Sequence, residues 1–274
     1  MFERVAACLL GVVARPTWLT ITAVITLLVH PASAFAQDAV PTPEATVTPY
    51  RPTVSNPAEL PVPGRLEIEA GWIRTASGDT SRRSLPYLAK FAFNPEWGVL
   101  VGGDLRVWDN SSGLALAGRG DTSITVKHRI GTGNEALNFG FEAGVKLPTA
   151  AAGLGSDKRD WTVNGIVSID LAEDWRLDAN LGVTALGVRD PGLGADSMLA
   201  AVALSRSLGA WTVAGEFSQS WQTAAPRASQ WLLALAYAVG PRLVLDAGFS
   251  RGKDGEDRPR SVFMGLSWLT DWMF

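Results

Sequence analysis

The fold class this sequence predicts is an all-β, twelve-stranded antiparallel up-and-down transmembrane β-barrel. Three observations carry that prediction. From Gly64 onward, oily and polar residues alternate with period two, the pattern of strands with one apolar face. The alternating stretches number twelve, an even count that suits closure of a single-chain barrel. Mean hydropathy is +0.12 with 19% charged residues, too polar for a membrane helix bundle. An alternating wall gives such an average, because its two faces cancel.

The chain starts with a secretory pattern. Arg4 and Arg15 flank an apolar run from Leu19 to Val29, and Ala34-Phe35-Ala36 offers a small-x-small cleavage site before Gln37. Ala32-Ser33-Ala34 is a second cleavage choice. Residues 1–36 are therefore expected to be removed. The run is too short to span about 30 Å of hydrocarbon as an anchor. Cys8, the one cysteine of the 274 residues, would leave with it, which excludes disulfides and thiolate metal sites. Residues 37–63 then carry seven prolines and no packed face. They are expected to form an extended, solvated tether on the periplasmic side.

The predicted strands follow in order. Arg65–Ile73 puts Leu66, Ile68, Ala70 and Trp72 on one face and Glu67 and Glu69 on the other. Ser84–Phe93 is oily at Tyr87, Ala89, Phe91 and Phe93, opposite Lys90. Trp97–Trp108 is oily at Trp97, Val99, Val101, Leu105 and Val107, with Gly102, Asp104 and Arg106 opposed. Asp121–Ile130 sets Ile124, Val126 and Ile130 against Asp121, Lys127 and Arg129. Leu137–Leu147 sets Phe139, Phe141, Ala143, Val145 and Leu147 against Gly140, Glu142, Gly144 and Lys146. The second half repeats the scheme in Trp161–Leu171, Trp175–Gly187 and Trp211–Trp221. Met198–Leu208 is weaker because it is rich in alanine, and Gln230–Val239 is oily on both faces. Leu243–Ser250 opposes Leu245, Ala247 and Phe249 to Asp246.

The twelfth strand is the most legible. Along Ser261–Phe274, alternate residues Val262, Met264, Leu266, Trp268, Trp272 and Phe274 are apolar, interrupted only by Thr270. Fourteen residues exceed the roughly 9–11 that a tilted strand needs to cross a bilayer. The aromatic last residue, Phe274, resembles the assembly signal of bacterial outer-membrane barrels. That resemblance implies the barrel-assembly machinery as a partner, beside outer-membrane lipid.

Connections are expected to alternate short and long without exception. Gly209 and Gly240-Pro241 are among the short ones, while Ala76–Arg83, Asp109–Gly120 and Pro148–Arg159 are among the long. Short periplasmic turns and long external loops are the barrel pattern. Both termini then fall in the periplasm. Tryptophans cluster at strand ends, where amphipathic rings meet a membrane interface. A soluble sandwich would need two bulky inner faces. Here the second face is glycine, serine, alanine, asparagine and charge.

Function is read from the inward face. The alternation places nine acids and six bases in the lumen. The candidate pore-lining residues are Asp104, Arg106, Asp121, Lys127, Arg129, Glu142, Lys146, Asp178, Glu216 and Asp246. Charges inside a wet pore choose which solutes pass, or they pair across strands and brace the wall. A net charge of −3 argues against nucleic-acid binding. No zinc-protease, P-loop or dinucleotide fingerprint occurs, so no cofactor is expected. His128, the one histidine outside the predicted signal, faces lipid near a short turn with no serine motif beside it. It reads as a rim residue rather than a catalytic one. The Asp-rich loop Gly252–Asp257 has too few ligands for calcium and reads as a solvated loop.

Several segments resemble the outer-membrane "MetA-pathway of phenol degradation" transporter family. Gly118-Arg119-Gly120-Asp121 followed by Lys127 resembles its G-x-G-D…K strand. Gly144-Val145-Lys146-Leu147-Pro148-Thr149 is similar to its G-x-K-L-P-T-G segment, with Ala150 as a departure from the final glycine. Asp160-Trp161, Glu216, Leu245-Asp246-Ala247-Gly248 and Gly265-Leu266-Ser267 follow in the family's order, so that the match covers roughly residues 64–274. The resemblance implies passive passage of small solutes, aromatic or apolar compounds among them, across the outer membrane. A closed structural or adhesive barrel, or an outer-membrane lipid hydrolase, stands as the alternative.

Overall fold

The computed structural model describes residues 45–110 and 113–273, with the side chains of Trp272 and Met273 excepted. The predicted signal segment and the terminal Phe274 lie outside the described residues. Alternation builds thirteen strands and, among the described residues, no helix. They are β1 Arg65–Ser77, β2 Thr80–Ala92, β3 Trp97–Asp109, β4 Leu116–Gly118, β5 Thr122–Gly131, β6 Leu137–Leu147 and β7 Asp160–Ala172. The rest are β8 Trp175–Ala185, β9 Asp196–Leu208, β10 Trp211–Gln222, β11 Ala228–Gly240, β12 Leu243–Asp254 and β13 Arg260–Met273. Each long strand pairs antiparallel with its sequence neighbours, and β1 pairs with β13 to close the ring. Twelve strands make the wall, and closure removes every free edge. The short β4 extends the pairing of β3 beyond the end of β5.

The two faces sort as the alternation requires. Val262, Met264 and Trp268 are exposed outward, as are Phe139, Phe141, Val202, Leu204, Trp231 and Leu233. Lys90, Lys127, Glu67, Glu69, Glu142 and Glu216 are buried on the other face. A soluble protein has the reverse arrangement. The outward band is apolar because it faces hydrocarbon. At the short-turn end it is rimmed by Trp175, Trp211 and Trp268, and at the long-loop end by Trp161 and Trp231.

Two expectations are corrected. The connection expected over Ala76–Arg83 is a two-residue hairpin at Gly78-Asp79, with Ser77 paired to Thr80 and Gly78 at φ 54°. Strands β1 and β2 therefore extend further than the alternation suggested, and the short–long rhythm has an exception. Strand β3 also changes face. It pairs with β5 only up to Gly103 and with β4 from Val107, while the register against β2 slips between Ser84 and Pro86. Val107, expected outward, is fully buried, and Arg106, expected in the lumen, is exposed on the outside. An extra residue in one strand of a pair inverts every side chain beyond it.

Candidate functional site

The lumen is not empty. Residues 45–63, expected as a solvated tether, run inside it and rejoin the wall at β1. Tyr50, Ser55, Ala58 and Pro61 are buried there. The physical reason is the accounting of backbone donors. An extended, proline-rich segment makes no ladder of its own, so each buried N–H needs a partner. The inward polar residues of the wall provide them. Thr48 N–H donates to Glu67 (2.9 Å), Tyr50 N–H to Glu69 (2.6 Å) and Ser55 N–H to Glu216 (2.7 Å). Asn56 N–H donates to Asn180 (3.0 Å) and Ala58 N–H to the Ser168 hydroxyl (2.8 Å). Lysines serve the carbonyls: Lys90 donates to Thr48 O (2.6 Å) and Lys127 to Pro57 O (2.5 Å). Prolines, which lack N–H groups, fill the intervening positions at no such cost.

Side chains fasten the same segment. Arg51 forms a forked pair with Asp246, at 3.1 and 3.2 Å. Gly71 and Gly265 leave the room it needs, since a Cβ at either would lie within 3 Å of the Arg51 side chain. Glu59 pairs with Arg176 and accepts from Asn138 (3.2 Å). The ring of Tyr50 lies between Lys90 and Lys127, whose ammonium groups are 3.9 and 4.1 Å from its centre. Burial first, then the Glu142, Glu67 and Glu69 carboxylates, push the Tyr50 phenol well above its ordinary range. It therefore keeps its proton and donates to the Glu59 carbonyl at 2.6 Å. Those lysines are held in turn by acids, Lys90 by Glu67 and Glu69 and Lys127 by Glu142 at 3.2 Å.

The ten candidate residues thus divide into groups. Lys127, Glu142, Glu216 and Asp246 hold the inner segment directly. Asp178 pairs with Arg176, and Arg129 donates to Asn138 at 2.7 Å, both close to the short turns. Asp104 lies 3.9 Å from Arg82. Asp121 and Lys146 brace the loop after β6 rather than line the bore. Asp121 accepts from Thr149 N–H and Ala150 N–H, both at 3.0 Å. Lys146 reaches Asp160 (2.6 Å), Ser156 (2.6 Å) and Asp121 (3.6 Å). Ala150 needs no glycine here, because Asp157 and Ala224 are the described non-glycine residues with positive φ. Arg106 belongs to none of these groups.

Cavities flank the inner segment on two sides: a small one, of about 150 Å³, against Pro86, Tyr87 and Leu88 of β2, and two larger ones on the β9–β12 side. One, of about 260 Å³, opens near the short turns between Pro49–Thr53 and the inward alanines of β9, β10 and β11. The other, also about 260 Å³, lies near the long loops between Val54 and Ser218, Ser220 and Gln230. Glu216 sits between them on β10, capped by Ser55. Its Oε1 and the Ser55 hydroxyl are buried without a partner among the described residues. The strand that is oily on both faces and the alanine-rich one are explained by this wall. Their small inward residues make room for the cavity. The inner segment was missed because it has no periodicity of its own.

His128 stacks on Trp97, with ring centres 4.1 Å apart, and its Nδ1 is 3.1 Å from the Glu96 carbonyl. Among the described residues no cluster of three or more His, Cys, Asp or Glu side chains could hold a metal ion.

Residues 50–270 match the family model described as "MetA-pathway of phenol degradation". The chain belongs to this family. The loop brace of Asp121, Lys146 and Asp160 is built from the segments that resembled it. No curated protein matches the chain in sequence. Among solved structures, this family member is similar to an outer-membrane channel from Pseudomonas putida F1, at 14% identity and TM-score 0.61, covering 78% of this chain and 98% of that one. It is also similar to the NanC porin (10% identity, TM-score 0.56, 74% and 98% covered) and the KdgM porin (9%, 0.51, 73% and 98%). At these identities the likeness is one of fold, and the fold is the outer-membrane β-barrel.

Proposed function

We propose that this protein is an outer-membrane channel for passive passage of small solutes, with both termini periplasmic and residues 45–63 setting its bore. The observation that carries this reading is the pair of cavities left beside the inner segment on the β9–β12 side. Most ionic groups of the lumen are taken up in pairs, and the larger free space is on this flank. Its lining near the short turns sets small apolar residues, Ala203, Ala214, Ala234 and Ala236 with Pro49 and Pro52 of the segment, beside the charged Arg51, Arg176 and Asp178. A cavity of roughly 150 Å³ accommodates a benzene ring, so each of these is large enough for a small aromatic or apolar molecule. Between them, displacing Thr53–Ser55 from Glu216 joins the two cavities into one route.

The extensive bonding of residues 45–63 to the wall favours a second reading, a closed structural barrel. Planar-bilayer recordings separate the two. A channel gives unitary current steps from the intact protein, enlarged when residues 45–63 are deleted. A barrel silent in both forms, with no solute uptake into liposomes, removes the channel reading.

A further inference from the structure

Five arginines share the outer surface at the long-loop end of one side of the barrel. Arg251 of β12, Arg260 of β13, Arg74 of β1, Arg83 of β2 and Arg106 of β3 are all exposed. Their register places them on one face. Arg251 is directly opposite Arg260, and Arg74 is directly opposite Arg83. Arg260 stands opposite Ala76, two residues along from Arg74. Arg83 faces Trp108, and both Arg83 and Arg106 lie over that ring, at 5.7 and 5.9 Å from its centre. Trp231 stands opposite Arg251 and closes the row at the other side.

Like charges directly opposite one another across a strand pair destabilise it. Several other arginines of the barrel are paired with acids. Arg82, on the other face of β2, takes Asp109 at 3.0 Å, Arg51 takes Asp246 and Arg206 takes Asp174 at 2.8 Å. None of the five has an ion pair or a side-chain hydrogen bond among the described residues. The row is therefore a set of forked donors aimed outward, with tryptophans beside it. It lies above the apolar band, at the height where a membrane changes from acyl chain to headgroup.

We propose that this row is a binding site for the phosphate groups of anionic lipid in the leaflet at the long-loop end. Guanidinium forks match phosphate oxygens in pairs, and the interfacial Trp108 and Trp231 would lie along the sugar or acyl portion of the same lipid. A bound phosphate between Arg74 and Arg83 relieves their mutual repulsion. The site rests on the seating of the barrel in a membrane and is independent of whether the lumen conducts.

The test is native mass spectrometry of the detergent-purified barrel, titrated separately with lipid A, a bisphosphorylated glycolipid, with phosphatidylcholine and with inorganic phosphate. The expected result is retained lipid A, no retained phosphatidylcholine, and no displacement by inorganic phosphate at equal concentration. Removing three charges in R74Q/R83Q/R106Q should weaken lipid A binding roughly a hundredfold. The exposed positions and a control variant, Arg206→Gln at the other end, keep a folding defect distinct from a binding one. Equal binding by the triple variant overturns the proposal, as does equal retention of phosphatidylcholine. Displacement by inorganic phosphate would show a free-anion site and overturn the lipid assignment.

Discussion

Replacing Tyr50 by alanine should release the inner segment without unfolding the barrel. The ring is 3% exposed and sits between two ammonium groups at 3.9 and 4.1 Å. A desolvated cation–π contact contributes up to about 2 kcal/mol. Two such contacts give about 4 kcal/mol, within the roughly 3–5 kcal/mol expected for truncating a buried aromatic to alanine. The docked-to-free ratio of residues 45–63 should then fall by roughly two to three powers of ten. A cysteine at Ser55, itself buried, reports that ratio through its rate of maleimide labelling. Labelling should quicken by the same factor in Tyr50→Ala, and single-channel openings should lengthen. Tyr50→Phe keeps the ring and loses only the 2.6 Å bond to the Glu59 carbonyl, so its effect should be about 1–3 kcal/mol. If Tyr50→Ala labels no faster than the parent, the sandwich is not what holds the segment, and the account of docking fails.

Three other outcomes follow from the same geometry. Lys127→Met leaves Glu142 buried with its cation gone and should cost about 3–5 kcal/mol, read as a lower temperature for the shift from folded to unfolded mobility on a gel. The double change Lys127→Met with Glu142→Leu should recover much of that loss; no recovery would mean the pair is not the cause. Asp121→Ala strands the Thr149 and Ala150 N–H groups, so hydrogen exchange at those two amides should accelerate, for a loss of about 1–3 kcal/mol. Val202→Arg, on the outward face midway along β9, should destabilise the barrel in lipid by about 2–4 kcal/mol, and no effect there would argue that this face does not meet hydrocarbon.

The wall was legible because a closed barrel writes its two faces directly into the chain. Period two is all that is needed to place Glu67, Lys90, Lys127, Glu142, Glu216 and Asp246 inward, and the structure puts them there. Arg106 was misplaced because alternation is counted from a start point, and one slip inverts everything after it. A local sign existed. Gly102-Gly103 interrupts β3 just before the change of face, and glycine within a strand often marks a bulge or a close approach. A Cβ on Gly103 would come within 2.5 Å of the Asp121 carbonyl, so glycine is what permits that close approach at the last residue of β3 paired with β5.

The inner segment could not be read by the same rule, since a stretch with five prolines in nineteen residues has no face to alternate. Composition alone says that it does not fold by itself, and from that a solvated tether follows only if nothing else supplies partners. Here the partners are spread over the wall, on strands as far apart in sequence as β1 and β12. An observable imbalance pointed to them. The predicted lumen had nine acids for six bases, and an interior wall cannot leave carboxylates without donors. The missing donors are the N–H groups of Thr48, Tyr50, Arg51 and Ser55 and the Arg51 guanidinium. An excess of buried acid across a barrel wall therefore signals a donor-bearing strand of backbone inside it, and the proline-rich stretch before β1 is the segment of this chain whose own donors are unspent.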